Sequence, residues 1–221
     1  MLLLSTFDTK YMSTSASKPY HHGDLKNALI AAGLQLLRER GVAALNLREV
    51  ARIAGVSHTA PYRHFSDKQA LISAIAVEGF EMLAAVIRAV DAQHYPTTVD
   101  RLAATGEAYV QFAIEHPAHI TIMFNRENTR GDDPELSKLS KVGFEYLVTH
   151  IHIGQNNGEL PPMEPMEVAK CLWATLHGLA VLTIEGQFVL PEVPETDRSG
   201  VLVLAANYVQ VILVGGGKLS I

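Results

Sequence analysis

One stretch constrains this chain more than any other: Asn46 to Lys68, reading NLREVARIAGVSHTAPYRHFSDK. Leu47, Val50, Ala51 and Ala54 recur at helical spacing and share one face, while Arg48, Glu49 and Arg52 take the other. Asn46 can cap this short helix through its side-chain oxygen, and Glu49, three residues on, can reach back as in a capping box. Gly55 ends it, because glycine enters the left-handed conformation without a Cβ clash. Val56 can then dip into a core and Ser57 can accept from the free amides of a second helix, His58 to about His64, so the chain turns sharply within a few residues. The pattern predicts a helix-turn-helix.

The second helix is too short to be stable alone and must lean on its neighbours. Pro61 and Phe65 are its inward residues, and Pro61 falls near enough to its start that at most one internal bond is lost. Outward go His58, Thr59, Tyr62, Arg63 and His64, donors and acceptors of the kind that read base edges and bind phosphate oxygens. Ser66 and Gln69 read as a second capping box that starts a further helix. Lys68 in its first turn opposes the helix dipole, and a phosphate shared between Lys68 and the free amides would explain it.

Through VARIAGVSHTAPYRHFSDKQAL the chain resembles the tetracycline-repressor (TetR) family of transcriptional regulators, over about Tyr20 to Phe80. Gly55, Val56, Ser57, Tyr62, His64, Phe65, Lys68 and Leu71 carry the match. The resemblance implies that Thr59 and its neighbours face bases while Tyr62, His64 and Lys68 bind phosphates. The candidate DNA-binding set is then Asn46, His58, Thr59, Ala60, Tyr62, His64 and Lys68. Asn46 departs from the Thr or Ser more usual in the family, and all three residues cap well.

At 221 residues and 48% hydrophobic content the chain can bury a substantial core. It divides into a flexible arm over 1–17, a DNA-binding head over 18–66 and a helical body over 67–221. The net charge of −5 would argue against a nucleic-acid partner if it were evenly spread. From Lys18 to Ala70, however, eight Lys and Arg stand against four Asp and Glu, and from Leu71 onward nine stand against eighteen. A basic head on an acidic body is the polarity expected if only the head meets phosphates. The lone Cys171 excludes an internal disulfide framework, fits a reducing cytoplasm and reads as packing before redox sensing. Leu2 to Leu4 is too short for a signal peptide, and no charge-free run approaches a membrane span.

Along the chain, Lys18, Tyr20, His21 and His22 precede Asp24, which can cap a helix to about Arg40 with Leu25, Ala28, Leu29, Ala32 and Leu36 inward and Gly41 at its end. The paired histidines lack the carboxylate or cysteine partners of a metal site. A long helix from about Asp67 to Ala92 carries Leu71, Ile75, Phe80, Leu83 and Ile87 and joins head to body as a lever. Thr97 or Thr98 starts a helix to about His116. The run PAHITIMF reads as a short helix, NRENTRGDD as a loop, and Asp133 with Pro134 as the start of a helix ending near Asn157 and Gly158. His150 and His152 cannot share a helical face, so they make no metal pair.

From about Pro165 to Phe188, Trp173 and His177 stand four apart on one face, and Gly178 and Gly186 suggest close helix approach. The Trp, His, Gly pattern resembles the C-terminal domain of some TetR-family members. Phe112, Met123, Phe124, Phe144, Leu147, Trp173 and His177 could line an apolar ligand pocket, or be plain core with His177 hydrogen-bonded inside it. The last helix, starting near Thr196, is apolar almost all round from Val201 to Val214, which suggests that a second subunit covers it, with Leu204 and Val209 at the interface. In the family resembled, the last two helices form a four-helix dimer bundle.

These readings converge on an all-α, homodimeric regulator that binds a double-stranded DNA operator and is released by a small molecule, with no catalytic residue, metal or cofactor. An architectural DNA binder without ligand is the alternative. A metal-dependent hydrolase is a remote one, since no HExxH, GxSxG or phosphate-loop motif occurs.

Overall fold

The structure, a computed structural model, describes residues 22–125, 133–188 and 199–215. The arm over 1–17, most of the NRENTRGDD loop and Thr196 lie outside the described residues. Those described form eight α-helices, one 3-10 helix and no strand.

α1 (His22–Ala44) begins earlier than a cap at Asp24 would place it, and Gly41, at φ 73°, interrupts it where a helix end is expected. α2 (Leu47–Ile53) packs across α1. The Asn46 side chain accepts from the Glu49 amide at 2.9 Å, while its own amide group donates to the Ala44 carbonyl at 3.0 Å. Glu49 does not complete a capping box. Its carboxylate accepts instead from Arg52 at 2.7 Å and Arg40 at 3.3 Å, tying α2 to α1, and the Arg52 bond above all holds its pKa below the usual value.

The second helix of the motif is only a 3-10 turn, Ala60–Arg63. Pro61 at its start favours this tight geometry, and the side chain of Ser57 does not cap it but lies 3.2 Å from the Thr59 hydroxyl. Pro61 and Phe65 are buried against the head core, as the spacing requires.

α3 (Lys68–Asp91) is one continuous helix of 24 residues. Its cap is Asp67, not Ser66: the Asp67 carboxylate accepts from the Ala70 amide at 2.9 Å. Two adjacent residues could each cap, and the carboxylate also gains from the helix dipole. Leu71 and Ile75 lie over Gly33 of α1, and Ile87 over Gly143 on α6 (Pro134–Asn156), so the same helix is built into the cores at both ends. At its far end Asp91 accepts from Arg101 at 2.7 Å and from the Tyr146 hydroxyl at 3.2 Å, with His150 Nε2 at 3.5 Å. His150 thus joins this fastening. Among the described residues no three His, Cys, Asp or Glu side chains gather into a metal-binding group.

The body continues through α4 (Thr98–Glu115), α5 (Pro117–Met123), α6, α7 (Pro165–Ile184) and α8 (Ser199–Val214). Thr97 caps α4 and Asp133 caps α6, and Gly158, at φ 73°, turns the chain after α6. α4 packs most extensively against α8, where Gly106 admits Val209 and Leu176 so closely that a Cβ would sit 2.8 Å from Val209 Cγ2. Gly178 has no such role: a Cβ there would meet open space, and Gly186 serves the turn after α7 at φ 68°.

Leu204 and Val209 are not interface residues of an outer face. They are 3% and 1% exposed within the single chain, and Val209 packs over Gly106 of α4. A helix apolar on all sides gives no sequence signal for which side faces inward, and here the outward residues are Val203 and Val214, 49% and 56% exposed. Cys171 is likewise exposed on α7 rather than packed. α3 and α7 are each long and apolar enough to cross a membrane, which a search for charge-free runs does not find. α3 spends that apolar surface on the cores at both its ends, whereas α7 leaves Met166, Trp173 and Leu182 open.

Candidate nucleic-acid interface

The head presents an outward set of polar groups on an inward apolar frame. His58, Thr59, Tyr62 and Arg63 are exposed, Tyr62 at 60%, and Ala60 and His64 are half-buried. Pro61 and Phe65 fix the backbone beneath them, and His64 rests tilted against Phe65 with ring centroids 6.4 Å apart. The arrangement offers hydroxyl, imidazole and guanidinium groups on a rigid turn, which suits contact with phosphates and base edges.

Beside this turn runs an open groove of about 570 Å³ lined by Asn46, Arg48, Arg52, Ser57 and His58 among others. Asn46 and His58, from the cap of α2 and from the turn between the two helices of the motif, thus line the same groove. Arg48 and Arg52 are exposed cations that the DNA-binding set above omits, and their signal was available: both lie on the hydrophilic face of α2. Arg52 is partly committed to Glu49, so Arg48 is the freer of the two.

Lys68 stands apart from the set. Its ammonium donates to the Val42 carbonyl at 3.0 Å, in a half-buried position just past Gly41. A cation in the first turn of a helix therefore has a structural partner without any phosphate, and this bond ties the lever helix to the end of α1.

In the body, the seven ligand candidates do not form one group. Phe124, Trp173 and His177 meet: the Trp173 ring stacks on His177 at 5.6 Å, and Phe124 lies edge-on to His177 at 4.7 Å. Tyr109, not among the candidates, joins them through a 2.7 Å hydrogen bond between its hydroxyl and His177 Nδ1. Sixty-eight residues separate the two, so no local spacing reveals the pair. Burial lowers the His177 pKa and raises that of Tyr109, so both stay neutral at neutral pH. Phe112 turns instead to His116, with ring centroids 4.9 Å apart, and Met123 fills the space over Gly79. Those two and Leu147 are buried core, and Phe144 is half-buried against it.

Residues 29–75 match the family model described as bacterial regulatory proteins of the tetR family, and residues 102–206 match the tetracyclin repressor-like C-terminal domain. No curated protein matches the chain. Among solved structures, a protein of unknown function from Rhodococcus sp. RHA1 is 32% identical, with a TM-score of 0.75 over 89% of this chain and 99% of that one. A regulatory protein in the tetR family from Rhodococcus RHA1 is 23% identical, with a TM-score of 0.66 over 88% and 98%. A fatty acid degradation regulator from Bacillus halodurans shares the fold at 14% identity and a TM-score of 0.69, over 90% and 98%. Helix-turn-helix head, continuous linking helix and helical body, matched by models of both parts, place the chain in the TetR family of DNA-binding transcription regulators.

Proposed function

We propose that this protein is a homodimeric, cytoplasmic repressor that binds a two-fold DNA operator and leaves it when a small molecule enters the body. The observation that carries the reading is α3. Lys68 fastens its first turn to the head and Asp91 fastens its last turn to α4 and α6, so a shift at the body end is carried to the DNA-contacting turn. Two heads on a two-fold site must lie about one helical turn apart, roughly 34 to 36 Å, or a multiple of it, and a tilt of a few ångströms removes one of them.

A second copy of this chain is the occupant that best suits the outer face of α7 and α8. Met166, Trp173 and Leu182 on α7 and Val203 and Val214 on α8 are exposed apolar side chains that such a contact would cover. The cluster of Tyr109, Phe124, Trp173 and His177 is the best candidate for effector contact, since it sets a neutral polar pair among aromatic rings.

The test begins with a duplex selected by the protein from a random pool. Spin labels on Arg63→Cys, in a background with the exposed Cys171 replaced, report the distance between heads. A compound that abolishes binding should change that distance. Loss of binding with an unchanged distribution would exclude the lever and leave altered flexibility as the mechanism. Linkage adds a second check: the duplex must weaken the compound's binding by the same factor.

A further inference from the structure

A buried titratable cluster lies where head meets body. His119 on α5 is 6% exposed, and its Nε2 donates to Glu78 Oε1 on α3 at 3.3 Å. Gly79, beside Glu78, marks the closest approach of the two helices: a Cβ there would meet Met123 Sδ at 2.6 Å and the His119 ring at 3.2 Å. α5 also packs on α1 and α4. Each neighbouring helix turns a charged or titratable group to His119: Glu78 from α3, Arg38 from α1, and His116 from the end of α4, edge-on with ring centroids 5.8 Å apart.

We propose that His119 is a proton-sensitive latch between α5 and α3, closed while the imidazole is neutral and loosened when it takes a proton, so that acid slackens the body's hold on the helix that carries the head. The closed contact is too tight to hydrate an imidazolium. Burial is the largest influence and lowers the pKa; Glu78 opposes it, and the neighbouring His116 and Arg38 add to the lowering. Glu78 is itself partly solvated, so its attraction is screened.

The direction follows from linkage. A histidine whose pKa is lower in the closed contact than in water binds its proton more tightly when the contact opens. The closed contact is therefore fully kept above the ordinary histidine range, about 6.5, and is lost as pH falls below that value, until the lowered pKa is passed. One proton limits the change to about tenfold per pH unit. The consequence for DNA rests on the dimeric-repressor reading: loosened heads hold no fixed spacing, so affinity for a two-fold site falls.

The test is hydrogen exchange of the α5 amides in the full chain at pH 7.5 and 5.5, corrected for intrinsic rates. The wild type should open more at pH 5.5, by up to about tenfold. His119→Gln should remove this response. Glu78→Gln should enlarge it, because it removes the group that favours the charged form, and it stands as the second variant should His119→Gln fail to fold. A wild type without the response, or a response kept in His119→Gln or not enlarged in Glu78→Gln, would overturn the latch. Binding to the selected duplex is measured alongside. Flat affinity with responsive exchange would overturn the coupling to the head, whereas absence of DNA binding at every pH would overturn the repressor reading and leave the exchange result standing.

Discussion

In the head, the residues suited to a partner stand outside the core: Tyr62 is 60% exposed while Pro61 beside it is buried. In the body, the residues suited to a ligand are parts of the packing itself, since Phe124 lies against Phe80 and His177 spends Nδ1 on Tyr109. An outward residue on a rigid turn is free of packing constraints, so its chemical type reports what it meets. An inward aromatic residue has to fill space first, and its type alone does not separate pocket from core. The same comparison says how each half should break: head variants should lose DNA affinity at constant stability, and body variants should lose stability before anything else.

The largest effect should come from a buried charge. Leu204→Glu places a carboxylate at a position 3% exposed within the chain and should cost several kcal/mol in denaturant unfolding. Val203→Glu, one residue away on the open face, should leave the chain folded and shift its sedimentation toward the monomer. A Leu204→Glu protein that stayed folded but monomeric would restore Leu204 to the interface and erase the distinction between the two faces.

Glycines sharpen the contrast within the body. Gly106→Ala would set its Cβ 2.8 Å from Val209 and 3.2 Å from Leu176, and should cost about 1 to 3 kcal/mol of unfolding free energy. Gly178→Ala meets nothing within the chain, so helix propensity should make the folded chain up to about 1 kcal/mol more stable. Equal losses at both sites would mean that the open space beside Gly178 is filled in solution.

How much of this was legible follows the same division. The lever's bounds could be read to within a residue because a long apolar repeat stands between clear caps; only the choice between Ser66 and Asp67 was lost, as two adjacent acceptors look alike in sequence. Trp173 and His177 could be paired from their spacing of four. Tyr109 could not, nor could the contact of Glu78 with His119, 41 residues apart, because tertiary pairs leave no periodic trace. α8 misled for the opposite reason: a helix apolar all round has too much signal to reveal its inward face. Lys68 shows a third limit, since a cation beside free amides fits a phosphate or a carbonyl equally well until Val42 is seen beneath it.

A smaller effect belongs to the head. Tyr62→Phe removes one exposed hydroxyl, so stability should stay within about 0.5 kcal/mol. Affinity should fall about fivefold, or about 1 kcal/mol, on the selected duplex and a scrambled one alike, if the hydroxyl meets a phosphate. Thr59→Ala should instead relax preference at one position per half-site, and a salt series on both duplexes tells the two outcomes apart.

The most discriminating effect is at Asn46, where the two halves of the comparison meet in one side chain. Its oxygen accepts from the Glu49 amide and its nitrogen donates to the Ala44 carbonyl, so the amide is already committed as a cap, yet it also forms part of the groove wall with Arg48 and His58. Asn46→Ala removes the cap and should cost about 1 kcal/mol of head stability. Asn46→Asp keeps the oxygen that caps the helix and gains from the dipole, but it gives up the donor to the Ala44 carbonyl, so it should cost no more than Asn46→Ala does. The new negative charge would face phosphates if the groove lies against DNA, and affinity should then fall several-fold on every sequence, most at low salt. An Asn46→Asp protein that binds as tightly as the wild type would keep Asn46 as a cap alone and move the DNA backbone away from that wall of the groove.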